Sequence, residues 1–116
     1  MQAPLILPVV FYQTAKGSVP VLEWLRGMVV ADRKKIGLDL LRVQENWPIG
    51  MPLCKNLGDK LWEIRSALTD GKTARLLFCF NDSEIYVLHG FVKKSQKTLE
   101  QDLLLARKRL KEVLNG

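Results

Sequence analysis

Apolar and polar positions along the chain repeat with two different periods, and the changes of period divide it into seven elements. Leu5–Tyr12 is a short apolar run centred on Val9, Val10 and Phe11 and predicts a first strand. Lys16, Gly17 and Ser18 break it. Ser18 can cap a helix that tolerates Pro20 in its first turn, and Leu22, Leu25, Met28 and Val29 then mark one face at helical spacing. Asp32 can cap a second helix, in which Ile36, Leu40, Val43 and Trp47 recur every three or four positions until Pro48 and Gly50 end it. Met51–Lys60, with Pro52 and Gly58, reads as a loop.

The period then shortens to two. Leu61–Leu68 alternates, with Trp62, Ile64 and Leu68 on one side and Glu63 and Arg65 on the other. Asp70-Gly71 is a hairpin signal. Ala74–Phe80 follows as a nearly continuous apolar strand interrupted by Arg75, Asn81–Ser83 turns the chain, and Ile85–Val92 makes a third consecutive strand. The final segment is helical again, with Leu99, Leu103, Ala106, Leu110, Val113 and Leu114 on one stripe. Thr98 and Gln101 form a capping box. Glu100 and Asp102 in the first turn and Arg107, Lys108, Arg109 and Lys111 later suit the helix dipole.

The order strand, helix, helix, strand, strand, strand, helix predicts an α+β fold. An antiparallel-rich sheet carries the two N-terminal helices on one face, a C-terminal helix closes the chain, and the other sheet face is available for work. At 116 residues this is a single domain, 1–116, large enough to bury roughly two thirds of its unfolded surface. A hydrophobic content of 47% and a charged content of 26% exclude wholesale disorder. No apolar run approaches the roughly 20 residues of a membrane helix. Met1–Val10 lacks a basic n-region and contains Pro4 and Pro8, unlike a signal peptide. The expectation is a cytoplasmic protein with no membrane contact. Cys54, Cys79 and the single histidine, His89, are too few to supply the four ligands of a structural zinc site, so neither metal nor cofactor is expected.

Charge changes the picture. Eighteen Lys and Arg against twelve Asp and Glu give +6 and a pI near 9.6, which favours a polyanionic partner such as nucleic acid or the ribosome. Lys93–Gly116 alone holds seven basic and three acidic residues. Arg65 and Arg75 interrupt apolar strands, where a guanidinium must meet solvent, an acid or a ligand. Either Arg65 pairs with Glu63 or Asp59 while Arg75 lies on the open face of the sheet, or the two form a phosphate clamp, since planar guanidinium binds phosphate bidentately. A two-residue Asp70-Gly71 loop puts them on opposite faces, and a five-residue Thr69–Thr73 loop puts them on the same face. His89, beside Gly90, is the one side chain that titrates unperturbed near neutral pH. Lys93, Lys94 and Lys97 gather ahead of a helix N-terminus, where they oppose the dipole. With Lys72 they are the candidate phosphate-binding lysines.

The stretch Leu61-Trp62-Glu63-Ile64-Arg65, then Arg75-Leu76-Leu77-Phe78-Cys79-Phe80, then Val87–Thr98 with its His89-Gly90-Phe91-Val92-Lys93-Lys94 core, resembles the HigB-type toxins of phage-derived toxin–antitoxin pairs, within the RelE/ParE superfamily. The match is good from Leu61 to Val113 and rests on element order alone before that. The resemblance implies a RelE-like fold and a toxin that cleaves mRNA in the ribosomal decoding site without metal. In that chemistry a 2′-hydroxyl attacks the adjacent phosphate while basic residues stabilise charge. Carried over by position, Arg65, Arg75 and His89 are the catalytic candidates, His89 as general acid or base, and Lys93 and Lys94 hold the RNA. The resemblance also implies a helix-turn-helix antitoxin as partner, with DNA bound only through the toxin–antitoxin complex. The chain departs from the pattern at Glu63, where relatives often carry a basic residue, and residues 97–116 contain neither Tyr nor His. The competing expectations are a non-enzymatic, ParE-like inhibitor of gyrase and a degenerate phage protein that only binds its antitoxin.

Overall fold

The computed structural model describes residues 6–93 and 100–116. Its elements are β1 (Val9–Phe11), α1 (Pro20–Arg26), α2 (Val30–Asn46), β2 (Cys54–Gly58), β3 (Leu61–Ala67), β4 (Thr73–Asn81), β5 (Glu84–Lys93) and α3 (Glu100–Asn115). The five strands form one sheet in the order β1-β5-β4-β3-β2. All neighbouring pairs are antiparallel except β1 with β5, which is parallel. The fold is therefore α+β with a mixed sheet. Among the described residues no helix is long and apolar enough to cross a membrane.

Strand alternation sorts the sheet into two apolar faces. Ile64, Ala74, Leu76, Phe78, Ile85 and Val87 point to one face and pack beneath Val21 of α1 and Ile36, Leu40 and Val43 of α2. The two early helices thus share a face, as their apolar stripes require. Their entries differ from expectation. The Ser18 hydroxyl lies 2.9 Å from that of Thr14, and Val19 is the N-cap of α1. Asp32 is already inside α2. Its carboxylate accepts the Thr69 N–H at 2.9 Å, while Asp39, two turns on, accepts the Ser66 hydroxyl at 2.7 Å. Both carboxylates fasten α2 to the β3–β4 hairpin instead of capping the helix. The capping box at Thr98 falls outside the described residues.

The opposite face is not open along its length. Leu61, Leu77, Cys79 and Leu88 point to it, and α3 covers them with Ala106 and Leu110. Two arginines lock this helix down. Arg107 donates to the Leu57 and Gly58 carbonyls at 3.2 and 3.4 Å. Arg109 donates to the Leu88 carbonyl at 2.8 Å and stacks over Tyr12, 4.9 Å from the ring centroid.

β2 was not legible as a strand. Its residues Cys-Lys-Asn-Leu-Gly show no apolar alternation, because an edge strand exposed to water needs none. The β3–β4 loop matches neither expected length. Leu68 N–H donates to Lys72 O and Gly71 N–H to Leu68 O, at 2.9 and 3.1 Å. Together they close a three-residue loop, Thr69–Gly71, with Gly71 at φ 82°. Arg65 and Arg75 consequently stand directly opposite each other.

A bulge in β5 decides a further question of side. Val87 pairs with Phe78 but His89 pairs with Leu77, so Leu88 is an extra residue. The bulge moves His89, Phe91 and Lys93 to the α3 face, whereas unbroken alternation from Ile85 and Val87 would place them under α1 and α2. The same shift turns Gly90 toward α1. A Cβ there would lie 2.4 Å from the Trp24 ring. Gly90→Ala is expected to lower stability by about 1–3 kcal/mol through overpacking, measured by urea unfolding. Adding Trp24→Leu should recover part of that loss.

Candidate functional site

On the α3 face, β2, β3, β4 and β5 bring together Lys55, Glu63, Arg65, Arg75 and Lys93. Register does most of this. Lys55 is opposite Glu63, Arg65 is opposite Arg75, and Arg75 is flanked on β5 by Phe91, with Lys93 two residues on. Four cations thus surround one carboxylate. Glu63 is fully buried, Arg75 is 6% exposed and Lys93 7%. Isolated, each of these charges would be costly to bury. Glu63 Oε1 accepts both from Arg75 Nη1 and, at 3.1 Å, from Arg65 Nε. One carboxylate oxygen therefore fixes both guanidinium planes.

Among these residues cations outnumber the carboxylate, and two further observations bear on the cluster. Arg75 Nε is buried with no hydrogen-bond partner among the described residues, a condition worth roughly 1–3 kcal/mol against folding. Lys93 is pushed below the ordinary lysine range, first by burial and then by the neighbouring Arg75, Arg65 and Lys55 charges, with Glu63 acting in the opposite direction. Stability alone would select neither feature. Both suit a site that receives an anion, since an incoming phosphate supplies the missing negative charge and acceptor oxygens.

His89 stands on the same face, one register position from this cluster. Its Nε2 lies 2.6 Å from Asp102 Oδ1 in the first turn of α3, and its ring stacks on Phe91 at 5.7 Å. The pair fixes the ring orientation and also joins α3 to β5. Lys72 lies at the exposed hairpin tip, where it pairs with Asp70 at 3.3 Å, outside the cluster. Lys94 and Lys97 fall outside the described residues.

Three participants were missed in the sequence. Lys55 was hidden by the loop reading of its segment. Glu63 was noted only as a partner for Arg65, not as the anchor of Arg75. The spacing places Asp102 in a helix's first turn, where it suits the dipole, and nothing local to it signals a histidine thirteen positions earlier. The thiols take no part. Burial pushes Cys54 and Cys79 each up to about 11, so both stay protonated near neutral pH.

A family model described as phage-derived protein, Gp49-like, matches residues 23–111. That span includes Lys55, Glu63, Arg65, Arg75, His89, Lys93 and Asp102. No curated protein matches the chain.

Removing the anchor tests this account of the cluster. Glu63→Gln should cost about 3–5 kcal/mol by leaving Arg75 buried without an anion. Glu63→Gln with Arg75→Met should cost less than the single change, as chemical denaturation would measure. Lys93 gives a pH signature. Between its depressed folded pKa and its ordinary value of 10.5, the unfolded chain binds more protons, so this residue's contribution to stability rises with pH. The wild type should therefore gain stability relative to Lys93→Met as the pH climbs from neutral toward 10.5. The cysteine contributions are common to both proteins and cancel from the difference between urea midpoints.

Proposed function

The chain belongs to the phage-derived, Gp49-like family, and from that premise we propose that it is the toxin of a type II toxin–antitoxin pair, an mRNA endoribonuclease acting on the ribosome. One observation carries the proposal: Arg65 and Arg75 lie side by side across two strands, oriented by the single buried carboxylate of Glu63, with Lys93 beside them. Guanidinium groups pre-set in this way can hold the non-bridging oxygens of a phosphodiester without reorganising as charge develops there.

In the proposed reaction the 2′-oxygen of one nucleotide attacks the adjacent phosphorus. A P–O2′ bond forms and the P–O5′ bond breaks, giving a 2′,3′-cyclic phosphate and a 5′-hydroxyl end. The proton leaves the 2′-hydroxyl and one is delivered to the departing 5′-oxygen. Arg65 and Arg75 stabilise the phosphorane charge. His89 is the proton-transfer candidate. Asp102 holds its Nε2, which leaves Nδ1 as the nitrogen that would exchange the proton. A helix-turn-helix antitoxin is the proposed partner, with DNA contacted only by the complex, and the proposed site of action is the cytoplasm.

The test is induction in a bacterial host with mapping of mRNA 5′ ends by primer extension. Arg75→Ala would strand Glu63, so the informative variants are Arg75→Lys, which keeps the charge but loses the planar fork, and Arg65→Gln. Circular dichroism checks that both fold. New ends inside translated codons, reduced at least ~100-fold in Arg75→Lys, are the expected outcome. Growth arrest without new ends would replace this reading with a ParE-like binding inhibitor. No arrest would indicate a degenerate copy that retains only antitoxin binding.

A further inference from the structure

A recess of about 270 Å³ opens at the sheet margin, between the middle of α2 and the edge of β3, where Arg65 connects it with the cluster on the other sheet face. It exists because β2 begins late. Cys54 pairs with Ile64, and Leu53 O still accepts the Arg65 N–H at 3.0 Å, so β3 has a bare edge from that point on. Arg65 N–H points to this edge, whereas Leu68 N–H points to β4 through its bond to Lys72 O. Strand alternation therefore aims the Ala67 N–H at the bare edge too.

The chemistry of the recess has two parts. Its rim carries Lys35, Arg42 and Arg65, with side chains 45%, 59% and 28% exposed. The one carboxylate there, Asp39, is turned inward, its side chain only 3% exposed; it is engaged by the Ser66 hydroxyl, by Lys35 and by Arg42, the last at 3.6 Å, so three cations and one carboxylate stand around the recess. The wall is apolar, built by Ile49, Met51 and Pro52, with Met51 61% exposed. A cationic rim with an inward-pointing backbone N–H suits a phosphate. An apolar wall with a polarisable thioether suits the face of a base. The volume lies below the roughly 300–1,000 Å³ of drug-sized ligand sites, which matches one base and not two. Arg65 belongs to both places, lining the recess while its Nε binds Glu63 in the cluster.

We infer that this recess is a second nucleotide subsite: it holds one nucleotide of the same RNA strand that crosses the arginine cluster, its base against Met51 and its phosphate at Lys35, Arg42 and the Ala67 N–H. The inference rests on the proposed function and adds where the strand leaves the cluster. It also explains the exposure of Met51 on a surface otherwise rimmed by charge.

The test is photocross-linking of the whole chain to a single-stranded RNA that carries 4-thiouridine at one position at a time and a 2′-deoxy residue at the cleavage point. The RNA is presented both free and on programmed ribosomes. Wild type is compared with Lys35→Gln/Arg42→Gln, two exposed positions that both pair with Asp39 and keep an amide donor after the change, and with Arg75→Lys, urea unfolding checking that each variant keeps its fold. The expected result is a cross-link to Met51 or Pro52 from a nucleotide next to the cleavage point. RNA affinity should fall about fivefold or more in the double variant, and the slope of log affinity against log salt should drop by roughly 0.7 for each phosphate that is no longer neutralised. Cross-links confined to the β4–β5 surface, with the double variant binding as wild type, would overturn the subsite and leave the proposed function standing. RNA binding that depends on Lys35 and Arg42 but not on Arg75 would keep the subsite and overturn the cluster as the cleavage site. No cross-link to either place would overturn both, and displacement of RNA from the recess by an acidic peptide at lower concentration would reassign it to a protein partner.

Discussion

Glu63 holds a negative charge at a point on β3 that water does not reach, and the surrounding sheet is arranged to tolerate it. Arg65 and Arg75 face each other across the β3–β4 ladder, a pairing that like charges resist. Glu63 offsets that repulsion by drawing both guanidinium groups to one oxygen. Neither half of the arrangement is stable without the other. An uncompensated carboxylate could not be buried, and two adjacent arginines would splay. The consequence is rigidity, the preorganisation that the proposed phosphate contact calls for.

The helical cover divides the basic residues into two populations with different tasks. Arg107 and Arg109 are spent inside the molecule, on the carbonyls of Leu57, Gly58 and Leu88. Leu88 is the extra residue of the β5 bulge, so Arg109 caps a carbonyl that the distorted ladder leaves poorly served. Arg65, Arg75 and Lys93 instead gather around Glu63 on β3, β4 and β5. Two of the basic residues of the last segment are therefore engaged by the fold itself.

The same bulge connects fold to chemistry. By moving His89 to the face that carries Arg75 and Lys93, it brings the one histidine within reach of Asp102. It also requires a residue without a Cβ at position 90, because α1 presses Trp24 against that spot. The packing of an N-terminal helix and the placement of a histidine on the opposite face are thus settled by one irregularity in β5.

Periodicity by itself determined the three helices, the meander of three long strands, and the separation of Glu63 and Arg65 from Trp62 and Ile64. These follow from burial of one stripe or one face, which local spacing records directly. Charge and the arginine interruptions single out Arg65 and Arg75 as the residues needing a partner, and the structure supplies Glu63. Only the tertiary structure decided the existence of β2, the three-residue hairpin that sets Arg65 opposite Arg75, the side on which His89 lies, and the union of Lys55, Glu63 and Asp102 with the rest. The reason is physical. A strand's face alternates at every residue, so one bulge or one extra loop residue reverses it, and which register wins depends on packing between elements far apart in the chain.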